Sequence, residues 1–184
     1  MTTLLDALHD RFPELVRSVE ETVSEQVVVL LNGPDVTGIV RYFLAEHQAR
    51  IVTVFAEDRV RAEGVFYIYY VLDRPGEPSW VILKAPIPER FPSFPSLAAE
   101  LPAINWQERE IQDWFGLEAA GHPNPRRVAL HDNWPDVHPL RKSFALDTVL
   151  PQFEGERHVY RPTYGEGVFQ IPVGPVHAGI IEPG

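Results

Sequence analysis

The stretch NWQEREIQDWFGLEAAGHPNPRRVALHDNW, residues 105 to 134, concentrates side chains that can do chemistry. Glu108, Glu110 and Asp113 are close enough in sequence to act as a paired general acid and base. Nothing nearby supplies a nucleophile, an oxyanion hole or a substrate pocket, so catalysis is the weaker reading. His122, His131 and His138 with Asp132 form a second candidate set, because imidazole and carboxylate suit zinc or iron. Their spacing matches no ligand motif such as HExxH, and histidines beside proline more often bond to backbone. The third reading is a surface that grips another protein. Trp106, Trp114 and Trp134 lie here with Arg109, Arg126 and Arg127, and Trp and Arg dominate binding hot spots.

These side chains need a helix to position them. NWQE has the form of a capping box, with Asn105 as cap and Glu108 three residues on. Gly116 stands where a left-handed residue closes a helix. Ile104, Glu108, Ile111 and Phe115 then share one stripe, while Trp106, Glu110, Asp113 and Trp114 share another. Arg109 and Asp113 are spaced as an i,i+4 ion pair. A carboxylate beside an apolar stripe needs a partner, and Arg126, Arg127 and Arg141 are the expected ones.

Upstream, Leu4, Leu5, Leu8 and Phe12 have helical spacing, with Thr3 as a possible cap. EQVVVLL, residues 25 to 31, reads as a buried strand, and 35 to 49 as a helix capped by Asp35. Three strands follow in ARIVTVFAEDR, GVFYIYYVLD and PSWVILKAPIP, and their short connections imply an antiparallel meander. The expected fold class is α+β, a two-layer helix/sheet domain with a mainly antiparallel sheet, followed by a Pro-rich helix-and-arm extension. Most of the 18 prolines fall in the second half of the chain. ERFPSFPSLAAELPA is therefore expected to run over the surface, and AAGHPNPRR and NWPDVHPLRK to be extended. The expected division is a globular domain over 1–90, a docking helix and segment over 91–150, and a C-terminal arm over 151–184.

Composition narrows the classes. The 184 residues carry a formal charge of −10, which argues against a nucleic-acid partner. Cysteine is absent, so this chain offers no thiolates for an iron–sulfur cluster or a CxxC site. No stretch reaches the length of a membrane span, and the first residues lack a signal peptide's basic start. A cytoplasmic location is expected.

Taken together, NWQEREIQDWFGL, GHPNPRRVALHDNW and HPLRKSF resemble the signature of the 30-kDa-type subunit (the C subunit) of NADH:quinone oxidoreductase, respiratory complex I. The equivalent module of complex-I-related membrane-bound hydrogenases is similar. The resemblance is densest over residues 91 to 144. It implies a non-catalytic scaffold without cofactors of its own, in the peripheral arm on the cytoplasmic side of the membrane. The implied partners are the large subunit, which bears the quinone site or a nickel–iron site, and neighbouring iron–sulfur subunits. The assembled complex would hold iron–sulfur clusters with NADH, FMN and quinone, or nickel and iron. By motif position, the resemblance makes structural and docking residues of Glu108, Arg109, Glu110, Asp113, Gly121, His122, Pro123, Arg126, Arg127, Asp132, Trp134, Pro139, Leu140, Arg141 and Lys142. Trp106 and Trp114 join them on the hot-spot argument. Two departures stand out: Ser143 replaces the usual acidic residue after PLRK, and Pro125 replaces a bulky aliphatic one. The segment GVFQIPVGPVHAGIIEPG resembles the start of a hydrogenase-type large subunit, with Gly174, Pro175 and His177 matching its GPxH element. That leaves a hydrogenase N-terminal module as the alternative. An independent acid–base or metal enzyme is the competing class.

Overall fold

Burial alternates along residues 26–31 and 80–88, as pleated strands with one face on the core require, and a five-stranded sheet results. The computed structural model describes residues 4–22, 26–151, 164–169, 171, 173–177 and 179–183. The chain divides into two compact units, Met1–Phe153 and Glu154–Gly184. In the first, the elements run α1 (Leu4–Arg11), β1 (Val16–Thr22), β2 (Gln26–Leu31), α2 (Thr37–Glu46), β3 (Arg50–Asp58), α3 (Val60–Glu63), β4 (Val65–Asp73), β5 (Trp80–Pro88) and β6 (Ser93–Pro95). A 3-10 turn at Pro102–Ile104 leads into α4 (Asn105–Phe115), followed by β7 (Glu118–Ala120).

The sheet order is β1-β2-β5-β4-β3. The pairs β3/β4 and β4/β5 are antiparallel, as the short connections require, and β2 lies parallel to β5. The α+β class with a mainly antiparallel sheet is therefore what the chain adopts. Val27, Val29 and Leu31 of β2 are buried together with Phe66, Ile68, Tyr70 and Leu72 of β4 and Val81, Leu83 and Ile87 of β5. Ile39, Val40 and Phe43 of α2, Ile104 of the 3-10 turn at Pro102–Ile104, and Ile111 and Phe115 of α4 join the same core. On the alternate positions, Phe55 stacks on Tyr69 at 4.8 Å and the Lys84 ammonium lies 4.0 Å from the Tyr67 ring centre.

Several expectations change. Strand β1 is unexpected, because VRSVEET carries three charges; it is an edge strand with mostly exposed side chains. Asp35 does not cap α2 directly. Its carboxylate accepts the Thr37 N–H at 2.9 Å, and Val36 occupies the cap position. Strand β3 breaks its alternation between Ile51 and Thr53, so Val54 turns inward and Phe55 outward.

The largest correction concerns ERFPSFPSLAAELPA, which does not run over the surface. Phe94, Leu97 and Ala98 are buried, and β6 pairs in parallel with β7. Proline is tolerated there because β6 is a short edge of a two-stranded sheet. Residues from 94 to 119 thus share the core with the strands, and position 90 does not divide it. NWPDVHPLRK is also not extended: turns close through His138 O with Arg141 N and through Arg141 O with Phe144 N.

In the second unit, β8 (Val173–His177) and β9 (Ile180–Pro183) form an antiparallel hairpin. Gly174, Pro175 and His177 all lie on β8. Thr3, the expected cap of α1, lies outside the described residues.

Candidate functional site

Helix α4 buries the stripe expected of it: Ile104, Glu108, Ile111 and Phe115 all face the core. A fully buried carboxylate is costly unless it is hydrogen-bonded. Glu108, at 0 % exposure, meets that need with neither a cap nor an arginine. One oxygen accepts the Leu97 N–H at 2.9 Å and the other accepts the Ser96 hydroxyl. The capping box is therefore corrected, since α4 begins at Asn105 behind Ile104 with no side-chain cap. Glu108 instead ties the helix to the buried segment after β6.

Arg109 and Asp113 do not pair either, although their spacing allows it. Arg109 donates from Nε to the Arg126 carbonyl at 2.7 Å and from Nη2 to the Arg127 carbonyl at 2.9 Å. Oδ2 of Asp113 accepts the N–H groups of Val128, Ala129 and Leu130 at 2.9, 2.8 and 3.1 Å. Two side chains one helical turn apart thus hold the main chain of residues 126 to 130, one gripping carbonyls and the other amides. We call residues 121–142 the strap.

The strap then crosses the C-terminal end of α4, where carbonyls lack partners within the helix. His138 Nδ1 donates to the Asp113 carbonyl at 3.0 Å, and the Leu140 N–H to Trp114 O at 3.1 Å. Arg141 donates from Nε to Phe115 O at 2.6 Å, a cation placed where the helix dipole favours it. Its guanidinium also lies 5.2 Å from the Phe66 ring centre. Gly116 closes the helix with φ 65°, as its position in the sequence predicts. A Cβ there would overlap the His138 ring, so the glycine also makes room for it. Asp58 completes the fastening: one oxygen accepts the Val60 N–H and the other the Lys142 N–H at 2.8 Å. Sequence reasoning missed Asp58. An acid two residues before Val60 signals a turn at the end of β3, but nothing in the sequence points across to Lys142.

The three histidines go to separate tasks. His122 accepts the Asn124 N–H at Nδ1, so its proton sits on Nε2, which donates to the Asn105 carbonyl at 3.2 Å. His131 packs edge-on against Trp134, 5.6 Å between ring centres. His138 caps α4. Among the described residues no three metal-ligating side chains converge. Hollows of about 220 and 200 Å³ flank His138, below the range of ligand pockets.

The remaining residues point outward or lie at the edge. Trp106 is 66 % exposed and Leu140 53 %; Glu110, Pro123, Arg126, Asp132 and Lys142 are exposed as well. Arg127, Trp114, Trp134 and Pro139 are half-buried, and the Trp134 indole donates to the Val137 carbonyl. Arg126, Arg127 and Arg141 do not pair with the helix carboxylates, contrary to expectation. Backbone amides and a hydroxyl do.

The family described as "Respiratory-chain NADH dehydrogenase, 30 Kd subunit" matches residues 32–149, which contain α4 and the whole strap. The chain belongs to this family. The resemblance read from the signature is borne out. One relative, the C subunit of NADH-quinone oxidoreductase from Mycobacteroides abscessus, is 30% identical over 167 residues, covering 78% of this chain and 72% of its own length. Hydrogenase-4 component G of Escherichia coli (strain K12) is 35% identical over 186 residues, covering 98% of this chain and 33% of its own. The chain thus spans about a third of the length of that relative. Among solved structures, a chain of the membrane-bound sulfane sulfur reductase, an archaeal respiratory membrane complex, shares the fold with a TM-score of 0.67 at 17% identity, over 86% of this chain and 97% of its own. No helix among the described residues is long and apolar enough to cross a membrane.

Proposed function

We propose that this chain is a scaffold module in the peripheral arm of a complex-I-like membrane oxidoreductase. It docks on the large subunit that bears the quinone site, beside iron–sulfur subunits on the cytoplasmic face, while electrons pass from NADH to quinone. The observation that carries this reading is the strap. The signature's Arg109 and Asp113 hold a loop on α4, and its outward residues Trp106, Arg126, Leu140 and Lys142, with half-buried Arg127, are left for a partner. Clusters, FMN and quinone belong to the other subunits on this view, which suits a chain without cysteine.

A second reading has its own support. The match to Hydrogenase-4 component G takes in nearly the whole chain, whereas the family match ends at residue 149, before β8 and β9. The module would then precede a hydrogenase-type large subunit with a nickel–iron site, and Gly174, Pro175 and His177 would lie at its start. Native purification of the tagged chain from solubilised membranes, read by mass spectrometry, separates the two. NADH-binding and quinone-site subunits support the first reading. A large subunit with paired CxxC motifs, or this chain continuous with one, supports the second. Recovery of the chain alone at full yield, with stoichiometric metal, would sink both and favour an independent enzyme.

A further inference from the structure

We infer that Arg126 and Arg127 form a preset receptor for carboxylates on a partner polypeptide, and that the large subunit presents an Asp- or Glu-bearing segment to them. This deepens the docking reading and rests on it. The main chain at these residues has no freedom left to offer: Arg109 occupies both of their carbonyls, and Asp113 takes the next three N–H groups. Fixing that backbone in advance removes part of the ordering cost of binding. The side chains alone remain for recognition, and each guanidinium can meet carboxylate oxygens in a forked geometry that lysine lacks.

Charge supports the assignment. Acidic residues outnumber basic ones by ten in this chain, so an arginine has many carboxylates to choose from. Among the other described arginines, Arg41 pairs with Glu100, Arg50 with Asp73 and Arg59 with Glu63. Arg109 and Arg141 hold carbonyls, Arg74 holds the Ser79 hydroxyl, and Arg11 and Arg90 lie over aromatic rings. Arg17 and Arg61 pair with no carboxylate among the described residues. Arg126, Arg127 and Lys142 pair with no carboxylate among the described residues. Arg126 is exposed, and Arg127 lines the hollow of about 200 Å³ with Gln112, Asp113, Pro125 and His138. Trp106, one turn before Arg109 on α4, adds an exposed indole beside this region, and Trp with Arg is the pairing enriched at hot spots.

A carbodiimide activates a carboxylate as an O-acylisourea, which a contacting lysine amine attacks to form an amide with release of the urea; a guanidinium does not. The test uses the R126K/R127K double variant, tagged and purified with its large subunit, treated with a zero-length carbodiimide and digested for mass spectrometry. The expected result is cross-links from the introduced lysines to an Asp or Glu of the other polypeptide, and a loss of about tenfold or more in co-purified large subunit for R126E/R127E. If the double variant fails to assemble, R126K and R127K singly, each keeping one guanidinium, carry the same measurement. Normal assembly with no such cross-links, or with links only to this chain's own carboxylates, overturns the receptor while leaving docking intact. Unmodified tagged chain that brings down no large subunit overturns the docking reading itself, and the receptor with it.

Discussion

Replacing Gly116 with alanine tests whether the end of α4 and the strap are one mechanical unit. Two costs add at this position. At φ 65° an alanine is in the left-handed region, worth about 1 kcal/mol against glycine. The new Cβ would also overlap Nε2 and Cδ2 of His138 and lie 2.8 Å from its Cε1, so the ring must leave. Its departure forfeits the bond to the Asp113 carbonyl and loosens the backbone that carries Arg141, about 2 kcal/mol more. Gly76 is the internal control, since its φ is 88° and nothing lies within 4 Å of its Cβ position. G76A should therefore cost about 1 kcal/mol and G116A about 3. In an H138A background the steric part of G116A vanishes, giving a coupling of about 1–2 kcal/mol in the double-mutant cycle. Urea unfolding followed by tryptophan fluorescence reads this directly, because all four tryptophans fall within Met1–Phe153. If G116A costs no more than G76A, or if G116A and H138A add within about 0.5 kcal/mol, the ring does not occupy the glycine's space and the account is wrong.

Three further outcomes follow from other contacts of the fold. D113A should destabilise the chain by about 2–3 kcal/mol and remove hydrogen-exchange protection from the amides of Val128, Ala129 and Leu130; unchanged protection would show that the strap is held by other means. With pH, Glu63 is held below the ordinary carboxylate range by the Tyr67 hydroxyl and then Arg59, and Glu100 by Arg41. Their stabilisation is present above that range and lost as pH falls through the depressed values, which carboxyl NMR titration should record. Burial raises Tyr69 and Tyr70 above the usual phenol value, so their contribution holds below that value and fades as pH rises through the raised ones. Phenolate absorbance should therefore lag a free tyrosine until the fold opens; ionisation at the ordinary value in the folded chain would refute their burial.

What could be read from sequence was what local spacing decides. The four-three-four interval of Ile104, Glu108, Ile111 and Phe115 located the buried stripe of α4, and short loops fixed β3, β4 and β5 as a meander. Gly116 announced the helix end because few other residues take that backbone conformation. Tertiary context decided the rest. The stretch from Phe94 to Ala98 looks like surface because Pro92, Pro95 and Pro102 punctuate its surroundings, yet pairing of β6 with β7 gives it a buried face. The charges of β1 conceal an edge strand, whose outward residues need no apolar alternation. Partner choice was least legible of all, since Asp58 reaches Lys142 across 84 positions of sequence.

The misassigned pair Arg109 and Asp113 shows why a charged helix is a poor guide to ion pairing. An exposed i,i+4 ion pair contributes at most about half a kcal/mol, because water screens it and two long side chains must be ordered. A carboxylate that accepts several backbone N–H groups at once satisfies donors that would otherwise lose their water, and each bond to a charged acceptor is worth about 1.5–3 kcal/mol. Asp113 faces three such donors, and Arg109 faces two carbonyls. The backbone therefore wins both residues. This outcome has a functional side. Because the grip is on main-chain atoms, it constrains the path of residues 126 to 130 without constraining their side chains. On the docking reading proposed above, Arg126 and Arg127 are left to answer to a partner, while the helix beneath them answers only to the fold.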